Sequence, residues 1–331
     1  MLLKMAEKEI LIRLVASFFL SFLLSLCITK GLIKKEKKKH VGQAIKEDIV
    51  PTHQKKKNTP TMGGIAIFLS AWVMSLLLGY SFLKDKSFIS LFLISGSFFG
   101  IGFIDDYLKI KQKSGKGLSP LLRLVMEILI SMGVLWYLGY QDQTLWRIHL
   151  LFQKSWKVGL LFIPLIVFIL VGGANSMNMA DGLDGLASGL AMNALFPFVL
   201  IALLKENYGV ALFLVSLIGG IVGFLCFNFH PAKIFMGDVG SLPLGATFAF
   251  TSFLLQAEII LLIAGALLII ETLSVILQVT SFQLTHHRIF KMAPLHHHFE
   301  MQGVAEWKVV MMFYIAGFIL SVVAAYVGVF L

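Results

Sequence analysis

Apolar residues occur along the chain in long runs, and short polar segments separate these runs. A helix that crosses a bilayer needs about 20 mostly apolar residues. The runs do not alternate with the period of two that a membrane β-barrel requires. The pattern predicts an all-α polytopic integral membrane protein with about ten transmembrane helices. We expect these helices at 10–29, 62–83, 87–104, 121–140, 158–174, 186–204, 209–227, 239–256, 259–279 and 308–331.

Composition agrees with this prediction. Of the 331 residues, 58% are hydrophobic and 14% are charged, whereas soluble domains have roughly half apolar and about a quarter charged residues. We therefore exclude a soluble globular protein and expect residues 1–331 to form a single transmembrane domain. Cys27 and Cys226 both lie in apolar runs, which excludes a disulfide framework. The first run lacks a cleavage pattern, so we expect a retained helix rather than a signal peptide.

The distribution of charge gives the predicted helices an orientation. Five alternate connections, with their flanking residues, hold 19 of the 28 lysines and arginines. The positive-inside rule places them in the cytoplasm and both termini in the periplasm. Six of the eight aspartates and eight of the nine histidines lie in the same connections, which indicates a one-sided active site. The net charge of +10 therefore reflects orientation, and nucleic acid is not an expected partner. The five connections lie near 30–61, 105–120, 175–185, 228–238 and 280–307.

Adjacent acids stand at the predicted end of the third helix. Asp105 and Asp106 repel each other and meet the negative end of the helix dipole there. Surface acidity is one explanation of such a pair. A nearby cation, or a role for one acid as a base, explains it better because the two acids directly follow apolar residues.

Two more acidic motifs lie on the same predicted face. The segment 175–185 contains Asn175, Asn178, Asp181 and Asp184 with glycines between them. Its spacing does not fit an EF-hand, although a polar turn remains an alternative. Asp238 precedes the eighth helix, where an acid alone indicates only an N-cap. Together the three motifs predict a divalent-ion site of oxygen ligands, which suits Mg²⁺ or Mn²⁺.

Basic and imidazole groups occur in two further segments, one in the first predicted connection and one in the last. The segment 55–64 contains Lys56, which can pair with phosphate, and Thr61, which can cap a helix; its lysines can also serve as topology signals or contact lipid head groups. The block 294–300 contains three consecutive histidines. We expect them to bind a diphosphate or move protons rather than hold zinc.

Two glutamates, Glu127 and Glu271, lie within predicted spans. Each is either functional or forms a polar contact between helices.

The motifs together resemble those of a known family. Thr-Pro-Thr-Met-Gly-Gly at 59–64, the aspartate pair, Asp-Gly-x-Asp-Gly at 181–185, Met-Gly-Asp-x-Gly-Ser at 236–241 and Pro-x-His-His-His-Phe-Glu at 294–300 occur in this order. The chain resembles the phospho-N-acetylmuramoyl-pentapeptide transferase family, within the polyprenyl-phosphate N-acetylhexosamine-1-phosphate transferase superfamily. The resemblance covers nearly the whole chain. Arg123 stands where the family implies lysine, and Val304 and Met312 stand where it implies tryptophan and arginine.

The resemblance implies an activity. Phospho-MurNAc-pentapeptide would pass from UDP-MurNAc-pentapeptide to undecaprenyl phosphate, a membrane lipid, giving lipid I and UMP in the first membrane step of peptidoglycan synthesis. It also implies a Mg²⁺ requirement, a bacterial plasma (inner) membrane location and an active site that faces the cytoplasm. Homodimers are common in the family, so a homodimer is one assembly that the resemblance allows.

Roles for individual residues also follow from the resemblance. Asp238 matches the magnesium ligand, and Asp105 matches an acid that deprotonates the lipid phosphate or attacks as a nucleophile. Asp106 and His296 complete the expected catalytic set. Phe235 is expected to stack on uracil. The expected substrate-binding residues are Lys56, Thr61, Asn175, Asn178, Asp181, Gly182, Leu183, Asp184, Asn228, Phe235, Gln278, Ala293, His297 and His298.

Two alternative functions remain open at this point. A GlcNAc-1-phosphate transferase of the same superfamily would share the acidic motifs. An ion-coupled transporter would also contain carboxylates in membrane helices, but transporter sites lie near the bilayer midplane and often within inverted repeats. The one-sided acids and the lack of a visible repeat argue against the transporter.

Overall fold

The computed structural model describes residues 2–39, 59–112, 117–138, 147–149 and 154–330. These residues are almost entirely helical, which confirms the predicted all-α polytopic class. The helices are α1 (Leu2–Lys39), α2 (Gly64–Leu78), α3 (Lys86–Gln112), α4 (Pro120–Tyr137), α5 (Phe162–Ala180), α6 (Leu186–Leu204), α7 (Tyr208–Asn228), α8 (Asp238–Leu254), α9 (Glu258–Ala264), α10 (Ala266–Thr285), α11 (Leu295–Glu300) and α12 (Glu306–Gly328).

Within the described residues, eight helices are long and apolar enough to cross a bilayer: α1, α3, α4, α5, α6, α7, α10 and α12. The prediction of about ten such helices is therefore too high by this criterion. The remaining two predicted spans correspond to α2 and α8, which have 15 and 17 residues. Helix α2 begins two residues later and ends five residues earlier than predicted, at Leu78, and α8 ends two residues earlier, at Leu254.

The predicted ninth span, 259–279, is wrong as a single helix. The chain breaks at Gly265, between α9 and α10. A Cβ atom on Gly265 would lie 2.9 Å from the ring of Phe248 in α8, so the break allows this segment to pack closely against α8. Hydropathy continues across the break, which is why the sequence pattern does not reveal it.

Among the helices that continue beyond their predicted ends, α3 and α5 carry residues of the candidate site. α3 extends to Gln112 instead of residue 104, so Asp105 and Asp106 lie inside the helix rather than at its exit. α5 extends to Ala180 and therefore includes Asn175 and Asn178. A hydropathy window ends each span at its first polar residues, although the backbone remains helical where those residues face a polar site.

Helix α8 lies at the centre of the bundle. It packs against α3 and α5 most extensively, and every residue from Asp238 to Phe253 is buried. Large apolar side chains are exposed instead on the outer helices, for example Leu129 of α4, Leu277 of α10 and Ile319 of α12. Such exposed apolar surface is typical of contact with lipid.

A short hairpin, which the sequence pattern does not predict, joins α4 to α5. Strands β1 (Arg147–His149) and β2 (Ser155–Lys157) pair in antiparallel register, with Ile148 opposite Trp156. The backbone N–H of His149 donates to Glu258 Oε2 at 3.2 Å. This contact attaches the hairpin to the start of α9.

Glycines allow three helices to approach closely at one end of α8. A Cβ atom on Gly64 of α2 would lie 2.2 Å from the Cα atom of Gly240, and one on Gly102 of α3 would lie 2.2 Å from the carbonyl oxygen of Asp238. No other residue fits at either position without displacing the neighbouring backbone. This packing brings the starts of α2 and α8 together and places the start of α8 against α3 near Asp105.

Candidate active site

Three carboxylates from two distant parts of the chain converge where α3 meets the start of α8. Oxygen atoms of Asp105, Asp106 and Asp238, here called the acidic trio, lie within 4.8 Å of one another. All three residues are buried, at 2%, 2% and 9% exposure. So much negative charge in a buried place requires compensation.

Two cations provide this compensation. Lys109 Nζ lies 2.6 Å from Asp105 Oδ2, 2.9 Å from Asp238 Oδ2 and 3.6 Å from Asp106 Oδ1. Arg123 Nη1 lies 3.2 Å from Asp238 Oδ2. Because Lys109 follows the aspartates by three and four residues on α3, one helix face carries all three groups.

Fixed dipoles hold the other carboxylate oxygens. The Leu118 backbone N–H donates to Asp105 Oδ1 at 2.6 Å, and the Val239 N–H at the start of α8 donates to Asp106 Oδ2 at 3.0 Å. Asn178 Nδ2 donates to Asp238 Oδ1 at 2.7 Å. The carboxylates are therefore held in defined directions, which favours coordination of a cation with definite geometry.

Arg123 extends this network toward α5. Its Nη2 group donates to Asn175 Oδ1 at 2.6 Å, and its Nε atom lies 3.4 Å from Glu127 Oε1. Asn175 Nδ2 in turn donates to Glu127 Oε2 at 2.8 Å. Glu127 thus forms polar contacts between helices, and Arg123 engages several partners at the position where the resemblance implies lysine.

The Thr-Pro-Thr-Met-Gly-Gly segment lies directly beside the trio. The Phe235 N–H donates to the Pro60 carbonyl at 2.8 Å, and the Gly63 N–H donates to the Phe235 carbonyl at 2.9 Å. At Gly237, where φ is +75°, a Cβ atom would lie 2.5 Å from Asp106 Oδ2 and 3.2 Å from Thr61 Oγ1. Glycine is required there both for its conformation and for space. Lys56 lies outside the described residues.

The loop 181–185 follows α5 and approaches the trio from a second side. Burial raises the pKa of Asp181 well above the usual value for aspartate, and the negative charges of Asp238 and Asp106 raise it further. The Tyr314 hydroxyl of α12 donates to the Gly185 carbonyl at 2.6 Å. Leu183 is buried at 4% exposure. This loop is therefore both close to the trio and attached to α12.

A second cluster of ligand-type groups fixes the far end of this loop. Asp184, His230 and Glu306, here called the His230 cluster, also place ligand atoms within 4.8 Å of one another. His230 Nδ1 lies 3.1 Å from Asp184 Oδ2 and 3.5 Å from Glu306 Oε2. The Ala232 N–H donates to Asp184 Oδ2, and the Asp184 N–H donates to Glu306 Oε1. Asp184 thus belongs to this cluster rather than to the trio.

The three consecutive histidines differ in their surroundings. His296 is fully buried, and its Nδ1 atom lies 3.0 Å from Glu271 Oε2. His297 Nδ1 lies 2.7 Å from Glu300 Oε2. His298 Nδ1 accepts from the Lys291 N–H at 3.1 Å. A Cβ atom on Gly182 would lie 2.4 Å from His296 Nε2 and 3.3 Å from His297 Nε2, so two of the three imidazoles reach the loop 181–185.

Two predicted binding residues have amide groups that are engaged with the protein. Asn228 Oδ1 accepts from Ser188 Oγ at 2.9 Å, and its Nδ2 donates to the Ile234 carbonyl at 2.9 Å. Gln278 Oε1 accepts from the N–H groups of Ile289 and Phe290. Both amides shape the loops that follow them. Ala293 lies in the loop between α10 and α11.

Sequence reasoning did not identify Lys109, His230, Glu306 and Tyr314 as site residues. Lys109 could have been found from its spacing of three and four residues after the aspartates, which places the charges together on a helix. Glu306 and Tyr314 contact the loop 181–185 only through the fold. No local pattern indicates such contacts across more than 120 residues.

An apolar groove opens between α4 and α5 next to the trio. Its volume is about 680 Å³. Asn175, which Arg123 links to Asp238, lies among its lining residues. The other lining residues are almost all apolar and include Leu124, Ile128, Met132, Val167 and Phe168. The groove therefore joins an apolar surface to the polar site.

The donor set fits a divalent cation. Carboxylate oxygens are the ligands that Mg²⁺ prefers, and the ammonium group of Lys109 among them shows that the position attracts positive charge. Asp238 and the two aspartates of α3 are the residues that would hold the ion. The fold and this site define a polytopic membrane protein with the features of a phosphoryl-transfer centre.

Comparison with known proteins gives the family. The model of glycosyl transferase family 4 matches residues 88–256, and phospho-N-acetylmuramoyl-pentapeptide-transferase signature 1 matches residues 56–68. Phospho-N-acetylmuramoyl-pentapeptide-transferases of Bacillus thuringiensis (strain Al Hakam) and Bacillus cereus (strains AH187 and G9842) are each 41% identical over 314 residues, covering 94% of this chain and 96% of each relative. The chain belongs to the phospho-N-acetylmuramoyl-pentapeptide-transferase family.

Proposed function

We propose that this protein transfers phospho-MurNAc-pentapeptide from UDP-MurNAc-pentapeptide to undecaprenyl phosphate, giving lipid I and UMP. The observation that carries the proposal is the acidic trio, which two distant motifs of this family build beside an apolar groove. One substrate is anchored in lipid and the other is a soluble polyanion. The chemistry must therefore occur at a membrane interface, and we place it on the cytoplasmic face of the bacterial plasma membrane, where the basic connections are expected.

In the proposed reaction, an oxygen of the lipid phosphate attacks the sugar-linked phosphorus of the nucleotide. A new phosphorus–oxygen bond forms, and the bond from that phosphorus to the bridging oxygen breaks. UMP leaves with the bridging oxygen and its electron pair. Negative charge develops on the leaving phosphate, so groups that neutralise it accelerate the step.

The proposal includes a dependence on Mg²⁺, with Mn²⁺ as a substitute. A bound divalent ion would neutralise charge on the diphosphate as it splits. Asp238 is the best placed ligand because Asn178 fixes one of its oxygens, and the other lies within 3.2 Å of both Lys109 and Arg123. Asp105 and Asp106 supply further oxygens from α3.

The protein's own cations act on the lipid phosphate. Lys109 lies among the three carboxylates, and Arg123 lies between Asp238 and Asn175. Asn175, which contacts Arg123, is one of the residues that line the groove, so we expect an anion that enters from the groove to meet Arg123 first. The apolar lining of the groove favours the polyprenyl tail, while the guanidinium group holds the phosphate at the site.

The nucleotide is proposed to bind over the loop 181–185. Phe235 is half-buried beside Gly63 and offers a ring on which uracil can stack. Gly182 has no side chain to block a close approach to the backbone, and His297 lies next to it. In this arrangement the diphosphate extends from the loop toward the acidic trio.

The test is an assay of the purified protein with undecaprenyl phosphate, Mg²⁺ and one of two donors, UDP-MurNAc-pentapeptide or UDP-GlcNAc. We expect release of UMP and formation of lipid I with the first donor, and much slower turnover with the second. Preference for UDP-GlcNAc would favour a GlcNAc-1-phosphate transferase. Absence of turnover with both donors would contradict the proposal.

A further inference from the structure

Glu271 and His296 form a fully buried pair that the proposed reaction does not yet use. Both side chains have 0% exposure. Glu271 Oε2 lies 3.0 Å from His296 Nδ1, and Glu271 Oε1 accepts from the His296 backbone N–H at 3.1 Å. One carboxylate on α10 therefore holds both the ring and the backbone of the first histidine of the block.

The double contact sets the direction of the hydrogen bonds. A backbone N–H can only donate, and both oxygens of an ionised Glu271 accept, so with Glu271 ionised the ring nitrogen that faces it carries the proton. Burial lowers the pKa of His296, an effect that the negative charge of Glu271 opposes. The neutral ring then has its lone pair on Nε2, and this nitrogen is an acceptor.

His296 Nε2 is buried and has no hydrogen-bond partner among the described residues. It faces the backbone of Gly182, where a Cβ atom would lie 2.4 Å away. A buried polar atom without a partner destabilises a protein unless a ligand supplies the partner. Nε2 therefore points at the loop 181–185, the segment over which we propose that the nucleotide binds.

We propose that Glu271 is a positioning residue that orients His296 so that Nε2 accepts a hydrogen bond from a hydroxyl or amide group of the nucleotide-linked sugar. The inference rests on the proposed function and specifies how the loop 181–185 reads that substrate. His296 then acts as a neutral acceptor for a substrate donor. It does not act as a cation that pairs with phosphate.

Glu271→Gln separates this role from simple structural support. The glutamine oxygen must face the His296 backbone N–H, because that group can only donate. The glutamine NH₂ group must then face Nδ1, which moves the ring proton to Nε2 and converts the acceptor into a donor. The variant keeps the shape of the side chain and both contacts with His296, but the Nε2 atom that faces the substrate becomes a donor instead of an acceptor.

We expect Glu271→Gln to raise the dissociation constant for UDP-MurNAc-pentapeptide by about 10-fold or more, the loss of a single well-placed hydrogen bond. The KM for undecaprenyl phosphate should remain unchanged. Binding is measured by calorimetry without the lipid substrate, so the result does not depend on turnover. Glu258→Gln is the matched control, since Glu258 is also a buried glutamate but lies beside the hairpin.

A double-mutant cycle with His296→Ala completes the test. If Glu271 acts through His296, Glu271→Gln has no further effect on nucleotide binding in the His296→Ala background. Wild-type affinity in Glu271→Gln, or equal effects of this change in both backgrounds, would overturn the inference. Failure of the wild-type protein to turn over UDP-MurNAc-pentapeptide would instead contradict the proposed function. Melting temperatures of all variants identify any that fail to fold.

Discussion

The side chains of the acidic trio lie as close together as those of the His230 cluster, but the two clusters differ in the groups that stabilise their charges. Each brings three ligand-type side chains within 4.8 Å. In the trio, two carboxylate oxygens contact the ammonium group of Lys109 at less than 3 Å. In the His230 cluster, the backbone N–H of Ala232 and the imidazole of His230 satisfy one oxygen of Asp184.

From this difference we propose that the trio, rather than the His230 cluster, performs the chemistry. Flexible side-chain cations can move aside when a metal ion or a phosphate arrives, so the trio can exchange partners. Backbone N–H groups cannot move in this way. They hold one oxygen each of Asp105 and Asp106 in the trio, whereas in the His230 cluster the N–H of Ala232 joins Asp184 to the loop that follows α7, which suits this cluster to hold a loop in place. Proximity of acids alone does not distinguish a reactive site from a structural one, whereas the identity of their partners does.

The largest effect is expected from Asp238→Asn. Loss of its charge removes the best placed candidate metal ligand, and a bound metal contributes several kcal/mol to phosphoryl transfer. We expect turnover to fall by about 1,000-fold or more, measured as UMP release. Membrane insertion should be intact, because Lys109 keeps Asp105 as a partner. Unchanged activity would show that the trio does not bind the metal.

Asp105→Asn should have the next largest effect. If Asp105 takes a proton from the lipid phosphate or acts on the reacting phosphorus, turnover falls by about 100-fold. Nucleotide affinity should change little, because Asp105 contacts Lys109 and the Leu118 N–H rather than the loop 181–185. Calorimetric binding and single-turnover rates measure the two quantities. Equal losses in both would assign Asp105 to substrate binding.

The sequence is sufficient to predict the aspartates of this trio, but not the helix contacts that bring them together. Asp105, Asp106 and Asp238 were identified from acids at predicted helix ends, because a charged group beside an apolar run has a high cost unless it has a function. Their meeting depends on Gly102 and Gly64, whose close approach to α8 is visible only in three dimensions. Contacts of this kind join residues far apart in sequence and leave no local pattern.

The helices were also predicted only in part: hydropathy gives their approximate positions but not their breaks and ends. Hydropathy located them, because burial in lipid or in the bundle requires apolar side chains. Hydropathy did not locate the break at Gly265, and it ended α3 before Asp105 because polar residues of a helix that face a site resemble a loop. The hairpin that contains His149 is short and polar, so the sequence shows no alternating pattern that predicts its strands.

Lys109→Met tests whether a metal ion and the ammonium group compensate the same charge. Without Lys109, three buried carboxylates repel one another, and loss of one partner of a buried pair is destabilising. In EDTA we expect the melting temperature to fall by about 5 °C relative to the wild type. Added Mg²⁺ should restore most of this loss. An equal response to Mg²⁺ in both proteins would show that the ion binds elsewhere.

The smallest effect is expected at the His230 cluster, from Glu306→Gln. The glutamine oxygen can still accept from the Asp184 N–H, whereas the contact with His230 is weakened. Since this contact lies partly at the surface, with His230 32% exposed, we expect the KM for UDP-MurNAc-pentapeptide to rise by less than about 10-fold with kcat unchanged. Stabilisation by Mg²⁺ should equal that of the wild type. The opposite result is that Glu306→Gln abolishes stabilisation by Mg²⁺ while Lys109→Met leaves it intact. The metal would then bind at the His230 cluster. In that case the kind of partner, movable cation or fixed backbone donor, would not identify the reactive cluster.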